Sequence, residues 1–361
     1  MAIKPFISSH ENPIKAKKEA LFFIASPLHL ICAEAIVSTL RTETTCRLFY
    51  LKPDLESIIK HKNWSSVDYL PWPRHFPLPG LFGRYRRIIE NAKTVENKCK
   101  EATDISLYMP VIDSEAYNYN ICISRQILHG RDPDVNLIPD GLLNIKRHSQ
   151  GKTREYSKYF RKLRKIFTPW LDYYIYKGDR TGADASIVKK IYTLPNTPHE
   201  YDTNKAHEIS FPKEQQNTLL SNTNKALIIG QPLTSYNILT KDNLNYLTEA
   251  LNNFLIGNDI TETDYKAHPR DKINELYTPN YNKISPDEPL ETYLIKNPYK
   301  IIISIYSTAL FLSRILSSTN SRCVSFGIDL VDLTSNEEKT ELINLFKKNK
   351  IEIIFSGKKA D

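Results

Sequence analysis

The sequence predicts an α/β protein of two doubly wound halves, each a parallel sheet with helices on both faces. Three times an apolar strand runs into a short turn of small or phosphate-friendly residues and then a helix, at Ala25-Ser26-Pro27, Ala267-His268-Pro269-Arg270 and Tyr306-Ser307-Thr308. Two further strands end at Pro139-Asp140-Gly141 and Gly230-Gln231-Pro232. Strands alternating with helices read as a parallel sheet with helical crossovers. A length of 361 residues allows two such units, at about 150 residues per domain. The expected division is 1–195, a linker at 196–225, and 226–361.

Taken in order, residues 1–19 are polar and read as an arm. Leu21–Ala25 form the first strand; Ser26 caps the next helix and Pro27 takes its first position. That helix runs from Pro27 to about Leu40, with Leu28, Ile31, Cys32 and Ala35 toward the sheet. Arg47–Leu51, Ile105–Met109 and Asn136–Ile138 are strands, with a helix around Glu115–Leu128. Residues 69–90 are a Pro- and aromatic-rich loop leading into a helix. Residues 145–166 interleave Lys and Arg with Tyr156, Phe160, Leu163 and Phe167 at spacings of three and four, a basic amphipathic helix. Pro195, Pro198 and Pro212 mark the linker. In the second half Ala226–Ile229, Asp264–Ala267, Ile301–Ile305, Cys323–Phe326 and Ile351–Phe355 are strands. Helices are expected over Leu244–Phe254, from Lys272–Tyr277, at Leu290–Lys296, over Ala309–Leu316 and over about Glu337–Lys348.

Composition narrows the function. The net charge of +8 favours an anionic partner without choosing among nucleotide, nucleic acid, anionic lipid and acidic glycan. Five widely spaced cysteines form no Cys-x-x-Cys pair and read as reduced, buried thiols, not a disulfide framework or zinc site. The apolar core Leu21–Ala25 is too short for a signal peptide, and no apolar run reaches the length of a membrane span. With 11 glycines and neither a Gly-x-Gly-x-x-Gly nor a Walker loop, dinucleotide dehydrogenases and P-loop enzymes are disfavoured.

The strand-end turns carry the candidate chemistry, because open α/β sheets bind ligands beyond the carboxyl ends of their strands. His268, at a strand end before an expected helix, is placed to protonate a leaving phosphate oxygen. The helix start would offer free N–H groups to that phosphate, and Arg270 would add charge. Ser307 and Thr308 at a helix start read as a phosphate site and as ordinary caps, and both readings hold together. Asp140 before Gly141 reads as a turn, or as a carboxylate that takes a proton from a sugar hydroxyl.

The ordered set of an acidic-Gly turn, then His-Pro, then a Ser/Thr pair resembles bacterial sialyltransferases, in particular glycosyltransferase family 52, which includes lipooligosaccharide α-2,3-sialyltransferases. The similarity spans most of the chain: Phe23–Ile36, Pro139-Asp140-Gly141 with Asn144, Leu227-Ile228-Ile229-Gly230-Gln231-Pro232, Ala267-His268-Pro269-Arg270, Ser307-Thr308-Ala309-Leu310, and the tail from Leu345-Phe346 through Ile351-Glu352-Ile353.

The resemblance implies a GT-B architecture, two Rossmann-like domains facing across a cleft. It implies metal-independent, inverting transfer of sialic acid from CMP-sialic acid to a galactose-type hydroxyl of a lipooligosaccharide or O-antigen. No cofactor is expected. His268 would be the acid assisting loss of CMP. Ser307 and Thr308 would hold the CMP phosphate, with Pro269 and Arg270 shaping that pocket and Gly230 and Gln231 in the substrate site. The acceptor would lie near Ser26, Pro27, Asp140 and Gly141. This chain departs from the family at the general base: Pro139 replaces the first of two acidic residues, and Leu233 and Thr234 stand where one branch carries an aspartate. Asp140 is the base by elimination, with His29 and Asp242 in reserve.

The expected location is cytoplasmic, peripheral on the inner membrane through Lys146–Lys165, facing a lipid-linked acceptor. The family is compatible with a homodimer, and nucleic acid is not expected as a partner. The competing readings are transfer of another sugar, such as glucosyl from a UDP donor, and a non-enzymatic basic module binding acidic glycan or nucleic acid.

Overall fold

The computed structural model describes residues 17–40, 42–141, 147, 149–195, 197–211, 224–268, 270–284, 290, 293–294, 297–307, 309–317, 321–332 and 336–358. Two sheets, both wholly parallel, organise them. The first takes the order β3-β2-β1-β4-β5-β6-β7. Its strands are β1 (Lys18–Ile24), β2 (Thr44–Tyr50), β3 (Ser66–Tyr69), β4 (Asp104–Met109), β5 (Asp134–Leu137), β6 (Val188–Thr193) and β7 (Ala206–Glu208). The second takes the order β10-β9-β8-β11-β12-β13. Its strands are β8 (Lys225–Ile229), β9 (Glu262–Lys266), β10 (Asn282–Lys283), β11 (Ile301–Ser304), β12 (Arg322–Phe326) and β13 (Glu352–Ile354). In each sheet the strand order reverses beside the first strand, at β1/β4 and at β8/β11, which is the doubly wound arrangement.

The helices are α1 (Pro27–Val37), α2 (Gly83–Cys99), α3 (Glu115–Ile127), α4 (Lys152–Leu163), α5 (Lys241–Gly257), α6 (Ala309–Leu316) and α7 (Asn336–Lys348). Alternate residues of β1 feed opposite cores, because strand side chains alternate faces. Leu21 and Phe23 join the cluster with Ile88 and Val95 of α2, whereas Ala20, Phe22 and Ile24 join the cluster with Leu28 and Ile36 of α1. β8 does the same, with Ala226 and Ile228 against Leu247 and Leu251 of α5, and Leu227 and Ile229 against Phe311 of α6 and Phe346 of α7. Double-sided burial explains the near-continuous apolar runs. Each buried Leu, Ile or Phe contributes about 1.5–3 kcal/mol over its exposed state.

Three differences from the sequence reading matter for the site. Residues 271–277 form turns instead of a helix. Asn274 sits at φ 55, in the left-handed region, and the Glu275 carboxylate turns back toward Thr234 and Ser235. β7 lies inside the 196–225 stretch expected as linker. The basic helix α4 turns Arg154, Lys158 and Arg161 inward, toward Asp113, Glu115 and the Tyr176 carbonyl, and leaves Lys162 exposed. All five cysteines are buried thiols, and burial pushes those of Cys122 and Cys323 up to about 11. Among the described residues, no helix is long and apolar enough to cross a membrane.

Candidate active site

Sequence-predicted site residues lie beyond the carboxyl ends of β1, β5, β8, β9 and β11. On the first sheet, Ser26 caps α1 by accepting the His29 backbone N–H at 3.3 Å, and Pro27 opens the helix. This places the His29 ring one turn in, 3% exposed. Its Nδ1 accepts the Ala25 backbone N–H at 3.2 Å, and its Nε2 lies 3.0 Å from Asp140 Oδ1. The first contact requires Nδ1 to be bare, so the neutral ring carries its proton on Nε2 and donates it to Asp140. His29, held in reserve as a base, is therefore a donor to the carboxylate.

Asp140 stands three residues beyond β5, with 34% of its side chain exposed. Burial alone would push its carboxyl up. The hydrogen bond from His29 and the positive charges of Lys52 and Arg180 outweigh burial and hold it below the usual carboxylate range. Gly141 adopts φ +61, the left-handed turn that glycine takes without strain.

Asp140 lines a cavity of about 370 Å³. Five arginines, Arg74, Arg84, Arg154, Arg161 and Arg180, line it together with three carboxylates, Asp113, Glu115 and Asp140. Arg154 pairs with Asp113 at 2.6 Å, Arg164 pairs with Glu115 at 2.7 Å, and Arg84 also meets Glu115. Among the described residues, Arg180 forms no ion pair, yet its charge acts on Asp140. Tyr117, 1% exposed, has a hydroxyl with no hydrogen-bond partner among the described residues. Burial, and then the negative charge of Asp140, push that phenol well above its ordinary value.

Sequence reasoning missed Asp113, Glu115 and Arg180, and placed Arg154 and Arg161 in a basic amphipathic helix without assigning them to the site. One available signal was Asp113-Ser114-Glu115 after β4, an N-cap with an acidic first turn.

On the second sheet, His268 follows β9 by two residues and is half-buried. Its Nδ1 accepts the Arg270 backbone N–H at 3.1 Å, which leaves Nε2 to carry the proton. Burial and the neighbouring Arg270 charge, against the opposing Asp271, hold its pKa below 6.5. The N–H groups expected from a helix after Arg270 are not supplied by one, because turns follow.

Ser307 caps α6 through the Ala309 N–H at 3.1 Å. Pro269 and Thr308 lie outside the described residues. Gln231 is buried, and its side-chain oxygen accepts from the Ser304 hydroxyl and the Ile305 and Tyr306 N–H groups. It thus shapes the turn that carries Ser307. At Gly230 a Cβ would stand 2.3 Å from the Tyr265 hydroxyl, so close approach of that ring requires glycine.

The departures at Leu233 and Thr234 have a packing account. Leu233 is 0% exposed in the core with Leu247. The Thr234 N–H donates to Glu275 at 2.6 Å, and the Ser235 N–H and hydroxyl donate to the same carboxylate. A carboxylate saturated with three donors is a poor base. Asp242 is an exposed first-turn residue of α5. Among the described residues no group of three or more His, Cys, Asp or Glu could hold a metal ion.

A family model described as alpha-2,8-polysialyltransferase matches residues 20–323. Its description names an α-2,8 linkage where the sequence resemblance implies α-2,3; both name sialyl transfer. No curated protein matches the chain in sequence. The alpha/beta-galactoside alpha-2,3-sialyltransferase of the luminous marine bacterium Photobacterium phosphoreum is similar in structure, with TM-score 0.56 and 13% identity over 94% of this chain and 99% of that one. At that identity the likeness gives the fold: GT-B, with two Rossmann-like domains. Lower similarity extends to the UDP-GlcNAc 2-epimerase of Neisseria meningitidis, with TM-score 0.47, 10% identity, and 94% and 95% coverage. The glycosyltransferase SnogD of Streptomyces nogalater gives TM-score 0.44, 11% identity, and 93% and 96% coverage.

Proposed function

The chain belongs to the alpha-2,8-polysialyltransferase family, a family of sialyltransferases, and from that premise we propose that it moves sialic acid from CMP-sialic acid onto a hydroxyl of a bacterial surface glycan with inversion. The observation that carries the reading is Asp140: a carboxylate held ionised beside a cavity at the carboxyl end of its sheet, and oriented by His29. Asp140 takes the proton of the acceptor hydroxyl as that oxygen bonds to the anomeric carbon. The bond from that carbon to the phosphate oxygen breaks, and its electron pair leaves with CMP.

Donors fixed around the phosphate stabilise the charge that develops there. Ser307, Arg270 and His268 fill this role, with Pro269 and Thr308 assigned to it from the family resemblance. His268 presents Nε2–H, and the negative charge of bound donor raises its pKa again. No metal enters the scheme. The acceptor occupies the cavity that Asp140 lines, with Gly141, Ser26 and Pro27 assigned to the acceptor side from the family resemblance, and is a lipid-linked glycan at the inner membrane face.

A galactose-type acceptor in α-2,3 linkage is the first reading of the acceptor. A second is favoured by the arginines: Arg180, with no ion pair among the described residues, suits an acceptor that carries its own carboxylate, such as a terminal sialic acid taking an α-2,8 bond. The donor alternative is a UDP-sugar on the same scaffold.

One experiment addresses these together. Purified wild type, His268→Ala and Asp140→Ala are given CMP-sialic acid or a UDP-sugar, with galactose-terminated or sialylated acceptors. Wild type is expected to use only the CMP donor. Asp140→Ala should lose transfer by about 10²–10⁴-fold yet still release CMP by hydrolysis. His268→Ala should lose both. Full CMP release by His268→Ala, or normal transfer by Asp140→Ala, overturns the assignment, and the preferred acceptor decides between the two acceptor readings.

A further inference from the structure

Lys158 of α4 is a cation that the proposed chemistry leaves unused, and it is 1% exposed. Its ammonium donates to the Tyr176 carbonyl at 3.1 Å and to the Gln150 side-chain oxygen, and lies 3.4 Å from the centre of the Tyr176 ring. Burial, set against the charges of Asp113 and Glu155, draws it down to about 8. A buried ammonium costs the fold stability unless its hydrogen bonds are met. Here they are met by groups that hold the two ends of one turn.

The turn runs from Tyr176 to Thr181. Lys158 holds its start directly, and Gln150 holds its far side by donating to the Asp179 carbonyl at 3.1 Å. The Tyr176 hydroxyl donates to the Arg180 carbonyl at 2.9 Å. The buried Asp179 carboxylate accepts the Thr181 backbone N–H at 2.7 Å and the Thr181 hydroxyl. The Thr181 carbonyl accepts the Ile112 N–H at 2.8 Å, which ties the turn to the segment carrying Asp113. The backbone of Arg180 is therefore fixed on both sides. Arg180 and Thr181 line the cavity together with Asp140, and α4 supplies Arg154 and Arg161 to the same lining. Arg154 is committed to Asp113 and Arg161 to Glu115. Arg180, half-buried, forms no ion pair among the described residues.

We infer that Lys158 is a positioning residue: it clamps α4 to the Tyr176–Thr181 turn and so holds the Arg180 guanidinium where it pairs with a carboxylate of the substrate. The planar fork of a guanidinium matches the two oxygens of a carboxylate. A turn that is already rigid loses little freedom when the ligand arrives. Arg154 and Arg161 could take this role only by giving up Asp113 and Glu115, whereas Arg180 gives up nothing described. Two substrate carboxylates fit the same chemistry: one on a sialylated acceptor, and the one that sialic acid bears on its anomeric carbon. The choice of ligand rests on the cavity being the site of sialyl transfer; the tie between Lys158 and Arg180 does not.

The test titrates the full chain with sialic acid and with its amide, which lacks the charge. The variants are Arg180→Gln, Lys158→Met and Tyr176→Phe, and each of the last two combined with Arg180→Gln. Wild type should bind the acid more tightly than the amide. Arg180→Gln should lose about 10–100-fold in affinity for the acid and little for the amide. Lys158→Met and Tyr176→Phe should lose about three- to tenfold with the same selectivity, and neither should lower acid affinity further once Arg180 is gone, because each acts through the guanidinium. Tyr176→Phe keeps the ring beneath the ammonium and carries the test if Lys158→Met does not fold. In transfer assays KM for the carboxylate-bearing substrate should rise while kcat holds within about twofold. A rise confined to a sialylated acceptor, and absent with its amide, assigns the acceptor carboxylate; a rise for CMP-sialic acid with every acceptor assigns the donor carboxylate. Equal losses for acid and amide in Arg180→Gln overturn the inference, and so does a further loss of acid affinity when Lys158→Met or Tyr176→Phe is added to it. If the titrations behave as expected but no sialyl transfer is seen with any acceptor, the functional reading fails and the carboxylate site held by Lys158 stands.

Discussion

Much of the proposed chemistry at the scale of single residues turns on one ring. Because the Ala25 N–H occupies His29 Nδ1, the proton sits on Nε2 and the ring donates to Asp140. His29 is then a positioning residue, and its removal should act through Asp140 alone. Losing one such hydrogen bond is worth about 1–1.5 kcal/mol, so His29→Ala should lower the rate of transfer about tenfold and leave donor hydrolysis unchanged. The pH profile separates this from a structural role. The lowered pKa of Asp140 keeps the base ionised above that value, and activity is lost only as pH falls through it. Without the His29 bond, burial dominates, the pKa rises, and the acidic limb of kcat/KM moves to higher pH. His29→Gln, which retains an N–H donor, should restore part of the shift. An acidic limb that stays in place in His29→Ala would refute the positioning role.

Single elements show how far a sequence can be read. The strand-end turns at Ser26, Asp140, His268 and Ser307 were legible because an apolar strand and a small or polar turn each leave a local signature. The orientation of α4 was not, because a period of three to four residues is the same whichever face is buried. Asp113 and Glu115, on a distant stretch of chain, decide it by drawing the arginines inward. The loop after His268 failed for a similar reason: Lys272–Tyr277 carries a helical pattern, but Glu275 is held by Thr234 and Ser235 from beyond β8. That tie fixes the β8 and β9 loops to each other, and it should be measurable. Glu275 has a lowered pKa: burial opposes the charge, but the Thr234 and Ser235 hydrogen bonds win. Its stabilising contribution is therefore complete above the unfolded value near 4.5 and is lost as pH falls through the lower folded value. Glu275→Gln should cost about 1–3 kcal/mol in chemical denaturation at pH 7. The gap between the two proteins should close as pH drops below about 4.5; a gap constant from pH 7 to pH 3 would mean that the charge plays no part.

Across the whole molecule, the two halves meet through helices that also carry site turns. α6 contributes Leu310 and Phe311 to its own core, whereas its Leu312 and Ile315 pack against the cluster of the first half that contains Leu28 and Ile36 of α1. The α6 cap is Ser307, assigned to the donor phosphate, and α1, capped by Ser26, carries His29, the partner of the assigned base. The apolar contact thus links the proposed donor and acceptor elements directly. Hydrolysis of donor requires only the phosphate side and water, but transfer requires both sides in register, and small misplacements are costly to such a step. Leu312→Ser with Ile315→Ser removes two partly buried side chains, at about 1–2 kcal/mol each, without touching either assigned catalytic group. The ratio of transfer to hydrolysis should fall several-fold in the double variant, CMP affinity should be retained, and thermal unfolding should separate into two transitions as the halves lose their coupling. A uniform drop in both reactions, with one cooperative transition, would mean that the contact serves stability alone and that the register of base and phosphate site is set elsewhere.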